Sequence, residues 1–396
     1  MSITACSFEQ AFLLFIGIKY YIYKYKECKI LLIFWIFFSI VLWSAFCHYT
    51  HMEVFMDRKI IVAVDAMGGD NAPVELVKGA VEATNESDKL IVRLFGDENI
   101  IKTELENYEF NPEQIEIVHT TEIIETAEHP VEAIRTKKDS SIVVAMKQVR
   151  HGEADAFVSA GSTGAVLVGG QTIVGRIKGV ERPALAPLLP TANGPTLLID
   201  CGANVDAKPS YLVQFAKIGS IYMENIVGIK NPKVALVNIG AEEEKGNALA
   251  KETHQLLKNC TDINFVGNIE AREIPKGEVD IIVCDAFVGN VILKLYEGLA
   301  STLLKKIKGG MMSSLRSKIG ALLVKPALKE TLATFNVDDQ GGAPMLGLKG
   351  LVVKTHGNST SKEVKYSILN AIKFKEQNIN EKISEHLGDV QSVKEV

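Results

Sequence analysis

From Met56 onward, short runs of apolar and β-branched residues alternate with longer segments whose apolar residues recur at helical spacing. The short runs predict nine strands: Ile60–Val64, Ile91–Phe95, Ile115–His119, Ala156–Val158, Thr196–Ile199, Val234–Val237, Ile263–Phe265, Val279–Val283 and Leu351–Lys354. The helical spacing is clearest over Pro73–Thr84, Ser210–Asn225 and Ala248–Lys258. Strands that alternate with helices form βαβ units, so the pattern predicts a three-layer α/β/α fold around a mostly parallel sheet.

Most of these predicted strands end in a loop rich in glycine and in Ser, Thr, Asn or Asp. The loop sequences are AMGGDN, SAGSTGA, DCGANVDAKPS, NIGAEEEKGN, VGNIEARE, CDAFVGN and THGNSTS. In open α/β sheets ligands bind at the carboxyl ends of the strands, and helix N-termini there favour anions. Glycine, Asn and Asp also form ordinary turns and caps, so a single loop of this kind carries little weight. Seven of them on one sheet edge favour an anion-binding face.

The first fifty residues follow a different pattern. The stretch from Ile30 to Thr50 holds both tryptophans and no Asp, Glu, Lys or Arg, and about 20 apolar residues suffice to span a bilayer. The lysines before it would keep the N-terminus in the cytoplasm and export everything that follows. An anchor, a signal peptide and translated upstream sequence are the alternatives. Since Met56 directly precedes the first strand, we interpret residues 1–55 as an extension outside the functional fold and residues 56–396 as the functional domain.

Composition narrows the class of protein. The chain has 396 residues, a formal net charge of -5 and a pI near 6.0, which argue against a general nucleic-acid binder. The six cysteines form no C-x-x-C pair and show no Cys/His ligand spacing, which argues against a zinc site and a disulfide framework and fits a reduced, cytosolic protein. We expect no metal and no cofactor.

Several motifs of common enzymes are missing from the sequence. There is no G-x-x-x-x-G-K-[ST], no G-x-G-x-x-G after the first strand, no G-x-S-x-G elbow and no H-E-x-x-H helix. The chain thus offers anion-binding loops without a conventional nucleophile. Attack of inorganic phosphate on a thioester fits this inventory, because the substrate itself is the nucleophile and a thiol with a pKa of about 8.5 leaves readily. The protein needs only to hold the anion, align it and stabilise the developing oxyanion.

Six segments together resemble one known family. VDAMGGDNAP, VSAGSTGA, LIDCGAN, GNIEAREI, CDAFVGNVILK and HGNS, in this order, are similar to the bacterial phosphate acyltransferases (PlsX, acyl-acyl-carrier-protein:phosphate acyltransferases). The resemblance runs from about Arg58 to about Lys373, and residues 1–55 have no counterpart in it. Ala286 stands where the family pattern usually has glycine.

The resemblance implies both a fold and an activity. The fold would be a homodimeric α/β/α architecture like that of phosphotransacetylases and isopropylmalate dehydrogenases. The activity would be the reversible conversion of long-chain acyl-acyl carrier protein (acyl-ACP) and inorganic phosphate into acyl phosphate and free acyl carrier protein. The product would supply a membrane glycerol-3-phosphate acyltransferase in phospholipid synthesis, and the enzyme would be cytoplasmic and peripherally membrane-associated. A phosphotransacetylase that uses acyl-CoA is the alternative enzyme, and a membrane-anchored scaffold is the alternative outside enzymes.

The strand-exit loops supply the candidate phosphate-binding residues. These are Gly68, Gly69, Asn71, Gly161, Ser162, Thr163, Gly164, Asn204, Lys208 and Asn358. Backbone amides and hydroxyls at a helix start can surround phosphate, although Ser162 can equally be an ordinary N-cap. Asp70 would repel phosphate, so it is expected to cap a helix or orient a neighbour.

Three residues are candidates for catalysis. His356 can protonate the departing thiolate, whereas a lone histidine is more often structural. Asn268 offers a donor and Arg272 a fixed cation, for which a solvated salt bridge is an equal alternative.

Surface residues suggest where partners bind. Basic residues that could attract an acidic carrier protein form two groups: Arg135, Lys137 and Lys138; and Arg176, Lys178 and Arg182. Near residues 305–330, Met311, Met312, Leu315 and Ile319 recur at helical spacing among basic residues. This pattern is typical of a helix on an anionic membrane surface, and a dimer-interface or lid helix is the alternative.

Overall fold

The computed structural model describes residues 58–333 and 340–388. The predicted extension over residues 1–55 lies outside the described residues. The strands are β1 Ile60–Asp65, β2 Leu90–Gly96, β3 Ile115–His119, β4 Ala156–Ser159, β5 Ala184–Leu185, β6 Leu188–Thr191, β7 Gly194–Ile199, β8 Lys233–Asn238, β9 Asn264–Glu270, β10 Ile281–Val283, β11 Ala343–Leu346 and β12 Leu351–Lys354.

The helices lie between these strands and cover the sheets. They are α1 Val74–Glu86, α2 Glu98–Leu105, α3 Pro130–Thr136, α4 Ser141–His151, α5 Thr163–Gly169, α6 Pro209–Tyr222, α7 Ala248–Lys258, α8 Ala286–Met311, α9 Leu315–Ala333, α10 Ser361–Glu376 and α11 Ile379–Gly388. Single π-turns extend α5 to Val174 and α6 to Val227, and a short 3₁₀ turn follows β9.

The strands form two sheets. The first has the order β3-β2-β1-β4-β12-β11-β5, in which β3, β2, β1, β4 and β12 are parallel and β11 is antiparallel to both of its neighbours. From β1 the chain moves outward to β2 and β3, and it then returns to β4 on the other side of β1. Ligands in open α/β sheets bind at such a reversal of strand order, outside the carboxyl ends of the strands. The carboxyl ends of β1 and β4 are therefore where the fold itself predicts a site.

The second sheet has the order β6-β7-β10-β8-β9, with β7, β10, β8 and β9 parallel. Its central strands are buried on both faces, which is why they read as unbroken apolar runs such as Ile281–Val283. Helix α6 packs against it, with Phe215 fully buried. Six of the seven loops of the sequence pattern are strand exits and divide between two sheets, whereas VGNIEARE begins inside β9. Only the loops after β1, β4 and β12 share the edge of the first sheet.

Several predicted elements have the bounds that the structure shows. Ala248–Lys258 and Leu351–Lys354 have the bounds that the sequence predicts. The predicted end of the strand Ile263–Phe265 is wrong, because β9 continues to Glu270. The strand passes through Gly267, whose φ is +104°. The strand pairing shifts by one residue at this position. A glycine can mark the end of a strand or a bulge inside it, and Gly267 lies at a bulge inside β9.

Near residues 305–330, where the sequence predicts a single amphipathic helical segment, the structure has two helices, α8 and α9. Helix α8 ends at Met311 and α9 begins at Leu315. Side chains four residues apart along α8 are exposed and apolar: Phe287, Val291, Leu295, Leu299 and Leu303. Among the described helices, α8 alone is long and apolar enough to cross a membrane, a test that considers length and composition only. Ala286 begins α8 with helical backbone, so its methyl group is accommodated.

Candidate functional site

Three loops meet where the strand order of the first sheet reverses. They follow β1, β4 and β12, and they comprise residues 66–73, 160–162 and 355–360. The first and third loops are joined by the Asp70 amide, which donates to Gly357 O at 2.7 Å, and by Asn71 Nδ2, which donates to Asn358 O at 3.1 Å. The structure therefore brings together the predicted residues from all three loops. We call this place the switch-point site.

Glycine makes the close approach of these loops possible. A Cβ on Gly68 would lie 2.3 Å from Asp65 Oδ2 and 2.7 Å from the Gly161 amide nitrogen. Gly69 has φ of +96°, and a Cβ there would lie 2.8 Å from Gly357 O. Distances this short are excluded for real side chains, and positive φ favours glycine. Gly68 and Gly69, both predicted as phosphate-binding residues, are thus required by the backbone geometry of the loops themselves.

Helix α5 starts at the second loop. Ser162 is its N-cap, and Ser162 Oγ accepts a hydrogen bond from the Ala165 amide at 3.4 Å. The amides of Thr163 and Gly164 in the first turn have no intrahelical acceptor, as at every α-helix start. They are oriented along the helix axis and carry the positive end of its dipole, which is the arrangement that binds anions.

A buried hydrogen-bond chain holds the second loop in place. Ser159 Oγ donates to Asp65 Oδ2 at 2.7 Å and accepts from the Gly161 amide at 2.9 Å. Burial raises the pKa of the Asp65 carboxyl, against the effect of its hydrogen bonds from Ser141, Ser159 and the Met67 amide. The carboxylate that ends β1 therefore positions the backbone of the loop after β4. The sequence pattern, in which the predicted strand ends at Val64, gives no sign of this role for Asp65.

Lys354 is a second group that sequence reasoning passed over. It ends β12 and is only 8% exposed, and its Nζ donates to Ala160 O at 3.2 Å and to Thr355 O. The signal for it was present in the sequence, since a lysine ends a strand that is otherwise entirely apolar.

The loop after β7 fastens the second sheet to the first. Asp200 Oδ1 accepts from the amides of Leu185, Gly202 and Ala203, and Asp200 Oδ2 accepts from the Asn204 amide and from Asn204 Nδ2, all within 3.2 Å. Leu185 lies in β5 of the first sheet, whereas Asp200 follows β7 of the second. Burial raises the pKa of Asp200, and its hydrogen bonds oppose that shift. We call this carboxylate and its donors the Asp200 clamp.

Two predicted phosphate-binding residues lie in the loop after β7. Asn204 is buried, and its Nδ2 donates to Pro183 O at 2.8 Å as well as to Asp200. Lys208 is exposed and directly precedes α6. The Asn204 side chain thus directs its two amide hydrogens into the protein, where they order this loop.

His356 connects the switch-point site to α8. Its Nε2 lies 3.7 Å from Glu297 Oε2, and its Nδ1 accepts from the Asn358 amide at 3.4 Å. Because Nδ1 is an acceptor, the ring hydrogen is assigned to Nε2. The side chain is half exposed. Helix α8 begins beside the Asp200 clamp, where a Cβ on Gly289 would lie 1.9 Å from Asp200 O.

The other two candidates for catalysis lie elsewhere. Asn268 is in β9, the edge strand of the second sheet, where its Oδ1 lies 2.9 Å from His254 Nδ1 and its Nδ2 donates to Glu242 O. Arg272 follows β9, is largely exposed and forms ion pairs with Glu270 and Glu273. The contacts of these two side chains within the described residues do not reach the three loops of the switch-point site.

The basic residues predicted to attract a carrier protein are partly engaged. Lys137 forms an ion pair with Glu128 at 2.5 Å, and the Arg182 guanidinium lies 6.0 Å from the centre of the Tyr211 ring. Over residues 58–333 and 340–388, no group of three or more His, Cys, Asp or Glu side chains is arranged to hold a metal ion.

Known proteins resemble this chain in sequence over nearly all of the described fold. A family profile described as "Fatty acid synthesis protein" matches residues 60–382. The phosphate acyltransferase of Clostridium novyi is 52% identical over 326 residues, which are 82% of this chain and 98% of that protein. The phosphate acyltransferase of Clostridium acetobutylicum is 50% identical over 331 residues, which are 84% of this chain and 100% of that protein.

Solved structures with a similar fold are more distant in sequence. A phosphotransacetylase from Streptococcus pyogenes has a TM-score of 0.54 at 16% identity, and the match covers 81% of this chain and 95% of that one. The EutD phosphotransacetylase from Staphylococcus aureus has a TM-score of 0.51 at 16% identity, covering 81% and 94%. These matches confirm the predicted α/β fold of the phosphotransacetylase type.

Proposed function

The chain belongs to the phosphate acyltransferase family and is an enzyme, and from this premise we propose that it transfers a long acyl chain from acyl-ACP to inorganic phosphate. A phosphate oxygen attacks the thioester carbonyl carbon, and the C–S bond breaks as the acyl phosphate forms. The sulfur leaves as a thiolate and takes up a proton to give free acyl carrier protein. The reaction is reversible, and no metal or cofactor enters it.

The observation that carries this proposal is the convergence of three glycine loops and a helix start at the switch point. Gly68 and Gly69 allow the loop after β1 to approach the other two loops, and the hydrogen bonds of Gly161 and Asn71 hold these loops in place. Helix α5 directs the amides of Thr163 and Gly164 outward from the same edge. Such an arrangement holds a phosphate by hydrogen bonds that are in place before the reaction, so little reorganisation is needed as charge moves to the carbonyl oxygen. Asn358 lies on the third loop and completes the set.

The other predicted residues take supporting roles in this proposal. Lys208 is exposed beside the second-sheet loop and is free to meet the carrier arm, while Asn204 orders that loop. We keep Asn268 in β9 and Arg272 directly after β9 as candidates for catalysis contributed by the second sheet. The basic groups around Arg135 and Arg182 are the surfaces proposed to attract the acidic carrier protein.

We assign the proton donor for the departing thiolate to His356. Its Nε2 lies 3.7 Å from Glu297 Oε2, and the half-exposed ring stands at the third loop of the switch-point site. Replacing His356 with Asn should lower kcat about tenfold to hundredfold, the low end of general acid catalysis, because a thiol leaves readily. The KM for phosphate should change far less. Steady-state kinetics measure both quantities, and an unchanged kcat would exclude this role.

The test of the proposed function is phosphate-dependent release of free acyl carrier protein from palmitoyl-ACP by the full chain, with the chain from Met56 assayed beside it. Release that requires phosphate and yields acyl phosphate supports the proposal. Palmitoyl-CoA serves as the competing donor, and a clear preference for it would favour the acyl-CoA phosphotransacetylase instead. Absence of phosphate-dependent release from either donor would refute the proposed function.

We further propose that the enzyme is a cytoplasmic homodimer that binds the membrane surface peripherally and delivers acyl phosphate to a membrane acyltransferase. The exposed apolar side chains Met312, Leu315 and Ile319 at the junction of α8 and α9 support contact with lipid, with Lys308, Arg316 and Lys318 nearby for anionic headgroups. Met311 is partly buried at the same junction. The exposed apolar residues along α8, from Phe287 to Leu303, are the proposed dimer face. Sedimentation velocity of the purified chain measures whether it is a dimer.

Replacing both Leu315 and Ile319 with Glu should release the enzyme from anionic phospholipid vesicles, lowering the bound fraction at least about tenfold, since each change removes apolar burial and adds repulsion. Co-sedimentation with vesicles measures binding, and the acyl-ACP assay without lipid should be unaffected. Ile100→Glu, on the exposed face of α2, is the matched control. Equal vesicle binding by the double variant would refute the membrane contact.

A further inference from the structure

Lys354 lies at the exits of two neighbouring strands of the switch-point site. Ala160, whose carbonyl oxygen accepts from Lys354 Nζ at 3.2 Å, follows β4, and Thr355, the second acceptor, follows β12. An ammonium group has three N–H donors, so these two carbonyl groups leave one donor for another partner. The side chain itself is buried, which fixes the ammonium group close to the loop that contains Gly161 and Ser162.

The charges around this ammonium group are mostly negative. The carboxyl groups of Asp65, Asp70 and Glu363 act on it, and Lys294 is the neighbouring cation. A phosphate dianion held by amide groups alone would be repelled by these carboxylates. A positive charge is needed to offset them, and Lys354 is the buried cation at this position.

Lys354 remains charged despite its burial. Burial lowers the pKa of Lys354 to about 8, and the charges of Glu363 and Asp65 oppose this shift. Most Lys354 side chains therefore carry the proton, and the positive charge, at neutral pH. A dianion bound beside it would raise that pKa further and favour the charged form.

Pairing with Asp65 does not account for this lysine. The Asp65 carboxyl already accepts hydrogen bonds from Ser159 and the Met67 amide, burial raises its pKa, and Lys354 Nζ donates to two backbone carbonyl groups instead. A buried charge is expensive to keep, and an apolar side chain of similar length would fill the same space. Retention of an ammonium group here calls for a negatively charged partner other than Asp65.

We propose that the Lys354 ammonium group binds the attacking phosphate at the switch-point site, donating its third N–H to a phosphate oxygen. The proposal rests on the proposed function and names the cation that the anion site requires. Hydrogen bonds from a charged donor are among the stronger ones in proteins, and they hold the nucleophile without blocking the oxygen that attacks.

The kinetic test uses Lys354→Met in the full chain. The KM for phosphate should rise about tenfold to hundredfold, as expected for loss of a hydrogen bond from a charged group, while the KM for palmitoyl-ACP changes little. Lys373→Met, an exposed lysine of α10, is the matched control and should behave like the unchanged enzyme. An unaltered KM for phosphate in Lys354→Met overturns the inference but leaves the proposed function intact, whereas an unchanged chain that shows no phosphate-dependent release refutes the function itself.

A second variant separates phosphate binding from pairing with Asp65. If Lys354 only balanced Asp65, then Asp65→Asn combined with Lys354→Met would restore the KM for phosphate, and the inference would be wrong. If Lys354 binds phosphate, the double variant keeps the high KM.

A measurement on the unchanged chain keeps the proposal testable if Lys354→Met does not fold. With lysines labelled with ¹³C at Cε, one resonance should titrate near pH 8, well below the others, and phosphate should move its midpoint upward. Chloride at equal ionic strength should leave it in place. A midpoint that phosphate does not move overturns the inference.

Discussion

Replacing Asp200 with alanine is expected to lower the free energy of unfolding by about 3–5 kcal/mol, because four backbone amides and one side-chain amide lose their acceptor together. Each buried donor left without a partner costs about 1–3 kcal/mol, and relaxation of the loop recovers part of the total. The loss should be large because Asp200 is fully buried, so water cannot replace the carboxylate.

Urea unfolding followed by circular dichroism measures this change. Asp206→Ala is the matched control, since Asp206 lies in the same loop and is exposed, and it should alter the free energy by no more than about 0.5 kcal/mol. Asp200→Asn keeps the shape of the side chain but turns one acceptor into a donor, so its stability should fall between those of Asp200→Ala and the unchanged protein. A loss below about 1 kcal/mol in Asp200→Ala would contradict the clamp.

The Asp200 clamp also shows how the second sheet contributes to the site. It connects β5 to the end of β7, and the Cys201 amide donates a hydrogen bond to Leu185 O at 2.9 Å. A Cβ on Gly202 would lie 3.6 Å from Leu167 Cδ1 of α5, so the loop after β7 adjoins the helix that starts at the switch-point site. Loss of the clamp should therefore displace α5 as well as loosen the two sheets.

The sequence predicts those parts of the fold whose signal is local. The helix Ala248–Lys258 has a long apolar pattern with clear ends, and the structure has the same bounds. Strands β5, β6 and β11 have two to four residues, too few to show a period, and they exist because of partners distant in the sequence. The division into two sheets depends on strand order, which no local pattern encodes.

The candidate site divides in the same way. Gly68, Gly161 and Asn358 follow strands whose exits do meet, and sequence reasoning placed them together. It could not tell that Asn268 lies within β9 and contacts His254, because a glycine that bulges a strand and one that ends it look alike. The apolar strand that Lys354 ends indicates a buried lysine, but its contact with the loop after β4 depends on the whole fold.

Replacing Gly68 with alanine is expected to lower kcat/KM for acyl-ACP and phosphate at least about hundredfold, since a displacement of about 1 Å between reacting groups costs that much. The added methyl would lie 2.3 Å from Asp65 Oδ2 and 2.7 Å from the Gly161 nitrogen. Neither neighbour can yield freely, because Asp65 is held by Ser159 and Gly161 is backbone. The loops after β1 and β4 must therefore move apart.

The phosphate-dependent release assay measures this loss, and Gly298→Ala is the matched control. Gly298 lies within α8, where a Cβ meets no atom within 4 Å and alanine favours the helix by about 1 kcal/mol, so activity should be unchanged. Thermal unfolding separates the two ways in which Gly68→Ala can fail. A variant that melts near the unchanged protein yet has lost phosphate-dependent turnover places the anion between these two loops, because only their separation has changed. Full activity in such a folded variant would mean that phosphate binds somewhere else in the molecule.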